Sequence, residues 1–296
     1  MNKRKTAAVL AIAALAFAAC TQSGGGLIEM VRIPGGTFTM GSPAGEPERD
    51  SDETQHKVKL SAFRMGKHEV TQGQYQAVMG ANPSHFTTSG SGEDPSRRPV
   101  EQVSWYDAIV FCNRLSMREG LSPAYSISGS TNPDSWGTVP ARSNSTWDAV
   151  EIVPGSNGYR LPTEAQWEYA CRAGTTGPFN TGENITTSQA NYDGNYPYNN
   201  NPAGMYRQRT TPVGSFAPNK WGLYDMHGNV WEWCWDWYDD YPSGAQNNPV
   251  GPVSGSYRVL RGGSWYGYGL YLRSAWRYYG HPYGREYDYG FRLVRP

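Results

Sequence analysis

What is scarce in this 296-residue chain narrows its chemistry first. Cysteine occurs at Cys20, Cys112, Cys171 and Cys234 and nowhere afterwards. The three beyond Cys20 are odd in number and widely spaced, so they make no disulfide framework, and the lack of a Cys-x-x-Cys pair removes the usual zinc signature. Each sits among apolar or aromatic neighbours, as small buried hydrophobes do. Excess charge is also missing: 26 basic residues balance 26 acidic ones. With no basic stripe, nucleic acid is not an expected partner. The five histidines, His56, His68, His85, His227 and His281, form no local ligand cluster, which argues against an iron centre. No apolar run reaches the roughly 20 residues that cross a bilayer as a helix.

The longest such run is Thr6 to Ala19, behind Lys3, Arg4 and Lys5, and its length and flanks read as a signal peptide over 1–19. It ends in Leu15-Ala16-Phe17-Ala18-Ala19-Cys20, a lipobox-like sequence that makes Cys20 the expected lipidation site and mature N-terminus. Residues 20–27, with Thr21-Gln22-Ser23-Gly24-Gly25-Gly26, read as a flexible tether. Two or more acyl chains anchor a protein stably, so a membrane reached through lipid is expected, in the cell envelope and on the outer surface.

Residues 28–296 read as one domain, since no composition break follows Gly26. With 35 Gly, 21 Pro, 21 Tyr and 11 Trp, it is rich in turns and anchored by aromatics. Three helices stand out. Thr71 caps one running to about Met79. Ser104 with Asp107 opens a second, whose Ala108, Phe111, Cys112 and Leu115 share a face before Gly120 stops it. Thr163 with Gln166 opens a third, turning Trp167, Ala170 and Cys171 inward. Short strands are expected at 124–127 and 150–153, and no regular element of any length after the third helix to about Thr210.

The landmarks Ile33-Pro34-Gly35-Gly36, Tyr159-Arg160-Leu161-Pro162-Thr163-Glu164, Gly228-Asn229-Val230-Trp231-Glu232-Trp233, Arg261-Gly262-Gly263-Ser264-Trp265 and Gly290-Phe291-Arg292 occur in series. From residue 28 onward the chain resembles the formylglycine-generating enzyme, or sulfatase-modifying factor, family. The resemblance implies an α+β, elaborated C-type-lectin fold with an antiparallel sheet core, a few helices and much loop. In those enzymes two copper-binding cysteines follow Gly-Gly-Ser. Here residues 265–274 hold none, so their thiolate chemistry and any redox cofactor are not expected. The resemblance also assigns Asp225, Glu232 and the carbonyls of Gly228 and Val230 to a structural calcium site, which hard oxygen donors suit.

Between Tyr266 and Tyr289, 8 of 24 residues are tyrosine, against 13 in the other 272. Tyrosine with glycine is what binding loops use, because a large amphipathic ring makes contact at low entropic cost. Randomising the two adenines of an Asn codon never yields Lys, Gln, Glu, Met or Trp, and the window holds only Trp276 and Glu286 of these. A lectin-type scaffold with such a C-terminal window, over 265–296, resembles the variable proteins of diversity-generating retroelements, treponemal lipoproteins among them. By that resemblance Trp265, Leu272, Arg273, Ser274, Ala275, Arg277, Phe291 and Arg292 are fixed. The variable, ligand-contacting positions are Tyr266, Gly267, Tyr268, Gly269, Tyr271, Tyr278, Tyr279, Gly280, His281, Tyr283, Gly284, Tyr287, Asp288 and Tyr289. The sequence thus reads as a non-catalytic binder of an extracellular protein or glycan. The alternatives are a sulfatase-modifying-factor-like metalloenzyme and a constant accessory subunit of an envelope complex.

Overall fold

A computed structural model describes residues 26–88 and 92–296. The segment read as signal peptide, Cys20 and most of the tether lie outside the described residues. Three short sheets and one two-stranded ladder surround the core. Strands β1 (Met30–Ile33), β4 (Phe63–Gly66) and β12 (Val294–Arg295) form one sheet, with β4 central and both pairings antiparallel. A second sheet joins β2 (Gly36–Met40) and β3 (His56–Leu60), antiparallel, to a short parallel β8 (Gln246–Asn247). The third carries the site. Its order is β10 (Tyr278–Gly280), β9 (Arg258–Arg261), β7 (Trp231–Trp237), β11 (Tyr289–Gly290), with β11 parallel to β7 and the other pairings antiparallel. The expected strands near 124–127 and 150–153 pair as β5 (Tyr125–Ser126) and β6 (Glu151–Ile152).

The helices follow their caps. Helix α1 (Gln72–Met79), α2 (Trp105–Arg118) and α4 (Glu164–Arg172) each begin at the cap read from sequence; the pairs Ser104 with Asp107 and Thr163 with Gln166 form as expected, and Thr71 adds a reciprocal partner, Gln74, that the reading had not named. Each cap satisfies orphan backbone N–H groups and contributes on the order of 1 kcal/mol. A single turn, α3 (Ser145–Asp148), capped by Asn144, was not expected. Helix α4 also differs from the reading: all nine of its residues are buried, not one face. Its polar side chains tolerate this because Glu168 pairs with Arg172 of the same helix and both Glu164 and Glu168 meet arginines from elsewhere in the chain.

Trp105, Trp167 and Trp233 are fully buried, and each indole N–H has an acceptor: the Cys234 carbonyl at 2.8 Å, Glu232 Oε2 at 2.7 Å and the Val103 carbonyl at 2.9 Å. Burying such a ring is worth roughly 4–6 kcal/mol before entropy, and only when its N–H is satisfied. They pin β7 and α4 beneath the surface on which the C-terminal window lies.

Candidate functional site

Strand β9 leads into Gly262 and Gly263, whose φ angles of +98° and +77° lie where a β-carbon is strained. A Cβ on Gly263 would stand 2.6 Å from Leu272 Cδ1, so glycine lets the chain fold back over its own continuation. The two ends of the window are then tied together. Ser264 Oγ donates to Asp288 Oδ2 at 2.8 Å, and Trp265 Nε1 donates to the Tyr287 carbonyl at 3.2 Å.

All eight positions expected to be fixed are buried. Their arginines are held by carboxylates far away in sequence. Arg273 donates to Glu46 and Glu53 at 2.7 Å each and again to Glu53 at 2.6 Å. Arg277 binds Glu164 at 2.7 and 3.0 Å, and Arg292 binds both oxygens of Glu232 at 2.6 Å. Burial costs several kcal/mol per ion, and only such close, multiply bonded pairing offsets it.

The tyrosines behave in the opposite way. Tyr266, Tyr268, Tyr278, Tyr279 and Tyr287 are between 38% and 55% exposed, Tyr266 and Tyr268 although they sit between buried neighbours. Eight of the fourteen variable-position candidates line one cleft of about 600 Å³: Tyr266, Gly267, Tyr268, Tyr271, Tyr278, Tyr287, Asp288 and Tyr289. The far wall comes from residues the sequence reading did not assign to the site. Asp193, Tyr196 and Tyr206 belong to the irregular stretch before Thr210, and Trp231, Ser264, Trp276 and Glu286 complete the lining. Tyr196 stacks on Tyr268 with centroids 4.1 Å apart, and Trp231 on Tyr278 at 4.9 Å. The signal for the far wall was the aromatic content of that Asn/Gly/Tyr-rich loop. Trp231 was hidden inside a motif read as scaffold.

Burial pushes the Asp288 carboxyl up to about 6, against the opposing pull of the Ser264 hydrogen bond, and nearby Glu286 adds to the rise. Burial likewise raises the Tyr289 hydroxyl, beside Tyr278 and Asp288.

The other candidates separate from the cleft. Tyr279 packs on Tyr238 and Tyr257, and His281 lies between Tyr257 and Tyr283, forming an aromatic strip on the flank. Gly284 lies in the turn beyond, where a Cβ would come within 3.1 Å of the His281 carbonyl. Two expectations need correction. A Cβ at Gly269 would fall 2.5 Å from the backbone nitrogen of Tyr198, and one at Gly280 would fall 2.8 Å from the Trp233 ring. Both glycines are close-approach points, Gly269 buried and Gly280 half-buried, where a side chain meets opposing atoms.

Cys112, Cys171 and Cys234 are free and buried, and burial raises all three thiols, that of Cys171 to about 12. Cys171 Sγ lies 3.7 Å from His227 Nε2. His227 is pushed down to about 4 by burial, and its Nδ1 lies 2.7 Å from the Leu272 carbonyl. A neutral imidazole beside a protonated thiol is a packing contact, not an activated nucleophile.

Of the residues assigned by resemblance to calcium, both carboxylates already have hydrogen-bond donors. Both Glu232 oxygens accept from Arg292, and Oε2 also accepts from Trp167. Asp225 Oδ2 accepts from Gly214 N at 2.6 Å, leaving Oδ1 buried without a donor. The described residues contain no group of three or more His, Cys, Asp or Glu side chains arranged to hold a metal. A cation there has to compete with a guanidinium already in place.

Comparison with known proteins agrees with this architecture. The sulfatase-modifying factor enzyme 1-like domain matches residues 17–296. The chaperone protein LppX of Paenibacillus barcinonensis is 38% identical over 283 residues, covering 88% of each chain. The formylglycine-generating enzyme of Mus musculus is 32% identical, matching 81% of this chain and 66% of its own length, so this chain spans about two thirds of that relative. Among solved structures, Treponema denticola variable protein 1 superposes with a TM-score of 0.79 at 40% identity, covering 90% of this chain and 95% of that one. The chain therefore belongs to the sulfatase-modifying factor family and has its elaborated C-type-lectin fold.

Proposed function

We propose that this chain is a non-catalytic, surface-displayed ligand-binding lipoprotein whose C-terminal window forms a diversified binding site. The observation that carries the reading is the division of that window. Arg273, Ser274, Ala275 and Arg277 are buried, while tyrosines on either side of them are exposed around one cleft. A fixed frame with large, rigid contact residues is the arrangement by which paratopes bind without reshaping their scaffold. Likeness to a protein named as variable supports the diversified part. Likeness to one named as a chaperone favours a protein ligand over a glycan.

The lack of cysteine in residues 265–274 supports binding over catalysis, because no thiol stands where the enzymes carry theirs. Surface display rests on the lipobox-like sequence at Cys20.

Replacing Tyr266, Tyr268, Tyr278 and Tyr287 together by Ser tests the surface assignment. Exposed substitutions cost about 0.5 kcal/mol or less each, so thermal unfolding is expected to remain cooperative with a summed loss of no more than about 2 kcal/mol. Collapse of the fold would overturn the reading. Sequencing the 3′ end of the gene from several isolates tests diversification: changes are expected to cluster at the tyrosine codons and spare those of Arg273 to Ala275.

A further inference from the structure

We infer that the cleft takes a basic side chain, arginine or lysine, from a protein partner. The inference rests on the binding reading above and adds the chemistry of the ligand. Ten aromatic rings and three carboxylates line the cleft, and no lysine, arginine or histidine does. Elsewhere this chain covers such surroundings with its own guanidinium groups. Arg277 lies 4.0 Å from the Tyr241 ring centroid while bonded to Glu164, and Arg258 lies between Trp237 at 3.4 Å and Trp105 at 3.7 Å.

In the cleft the same ingredients meet without the cation. Asp288 is bonded to the Ser264 hydroxyl, and Asp193 to the backbone and side-chain nitrogens of Asn195. Among the described residues neither they nor Glu286 form a salt bridge. Aromatic faces attract a cation most strongly where water is displaced, and a planar guanidinium stacks on them as well. The Trp276 indole N–H, buried without an acceptor, adds a demand that a peptide carbonyl beside the basic side chain meets.

The test uses the soluble domain, residues 21–296, titrated with N-acetyl-arginine amide, N-acetyl-lysine amide, the uncharged isostere N-acetyl-citrulline amide, and phosphocholine. Binding is followed by the indole N–H resonances of Trp231 and Trp276. Saturable shifts are expected with arginine and lysine amides in the millimolar range, with citrulline at least tenfold weaker. Glu286→Gln with Asp288→Asn is expected to reduce arginine binding at least tenfold, with the indole positions of the free protein preserved as a check on folding. Equal binding of citrulline, or no saturable shift with either basic amide, overturns the inference. Binding of phosphocholine more tightly than arginine assigns the cleft to a headgroup and overturns the protein partner. The tyrosine-to-serine variant fails or holds independently of all these outcomes, so failure of the ligand chemistry and failure of the contact-surface reading are separable.

Discussion

The underside and the outer face of the same C-terminal window solve opposite problems. Below, Arg261, Arg273, Arg277 and Arg292 are buried and each is bonded to at least one glutamate, so charge is neutralised inside the protein. Above, aromatic rings stand half in water, and their carboxylate neighbours lack a cation among the described residues. The difference shows that the exposed rings rest on a foundation whose interactions do not pass through them. None of the glutamates bonded to these arginines belongs to the window.

Arg273→Ala is the change expected to break this contrast most severely. It strands Glu46 and Glu53 in the interior, and removing one partner of a buried pair costs roughly 3–5 kcal/mol, measurable by denaturant unfolding. A loss comparable to that of a single surface tyrosine would show that the underside is not the foundation.

Glycine sharpens the boundary between the layers. Gly269→Ser is expected to cost about 1–3 kcal/mol through its collision with Tyr198, whereas Gly267→Ser, whose Cβ meets nothing closer than 3.4 Å, is expected to cost well under 1 kcal/mol. Equal melting temperatures would mean that Gly269 is as open as its neighbour.

Asp288 links the layers through pH. Its folded-state carboxyl is raised to about 6 from an ordinary value of 3.8, so its contribution to stability is present below the ordinary value and lost as pH rises through about 6. Asp288→Asn is therefore expected to raise the melting stability at pH 7 by about 1–2 kcal/mol and to flatten its dependence between pH 4 and 6. An unchanged pH profile would remove Asp288 as the titrating group.

The smallest effect is expected from calcium. With Arg292 already on Glu232, adding the ion to chelator-treated protein leaves the melting temperature unchanged. A saturable rise would show that Glu232 exchanges the guanidinium for the ion.

The elements most legible in sequence were those set by neighbours three or four residues apart. Thr71, Ser104 and Thr163 each cap a helix as read, and Ser104 and Thr163 found the partner their spacing indicated. The burial of the eight positions assigned to the scaffold agrees with the family resemblance. What holds them was not legible, because Arg273 meets its glutamates across 220 and 227 residues of chain and no local pattern records that. Separation in sequence also hid the far wall of the cleft, since Tyr196 and Tyr206 reach it from an irregular loop. Gly269 and Gly280 were misread because a glycine in a contact loop and a glycine under one look alike until the opposing atoms are known.

Strand β12 ties the window back to the first sheet. Val294 and Arg295 pair with β4, and Arg292, just before them, neutralises Glu232 in the core. A stop or frameshift anywhere in the window also deletes this closing strand and its arginine. Such products leave the β4 edge unpaired and a carboxylate buried alone, so they are expected to fail to fold. The exposed cleft therefore depends for its support on residues that follow it in the chain.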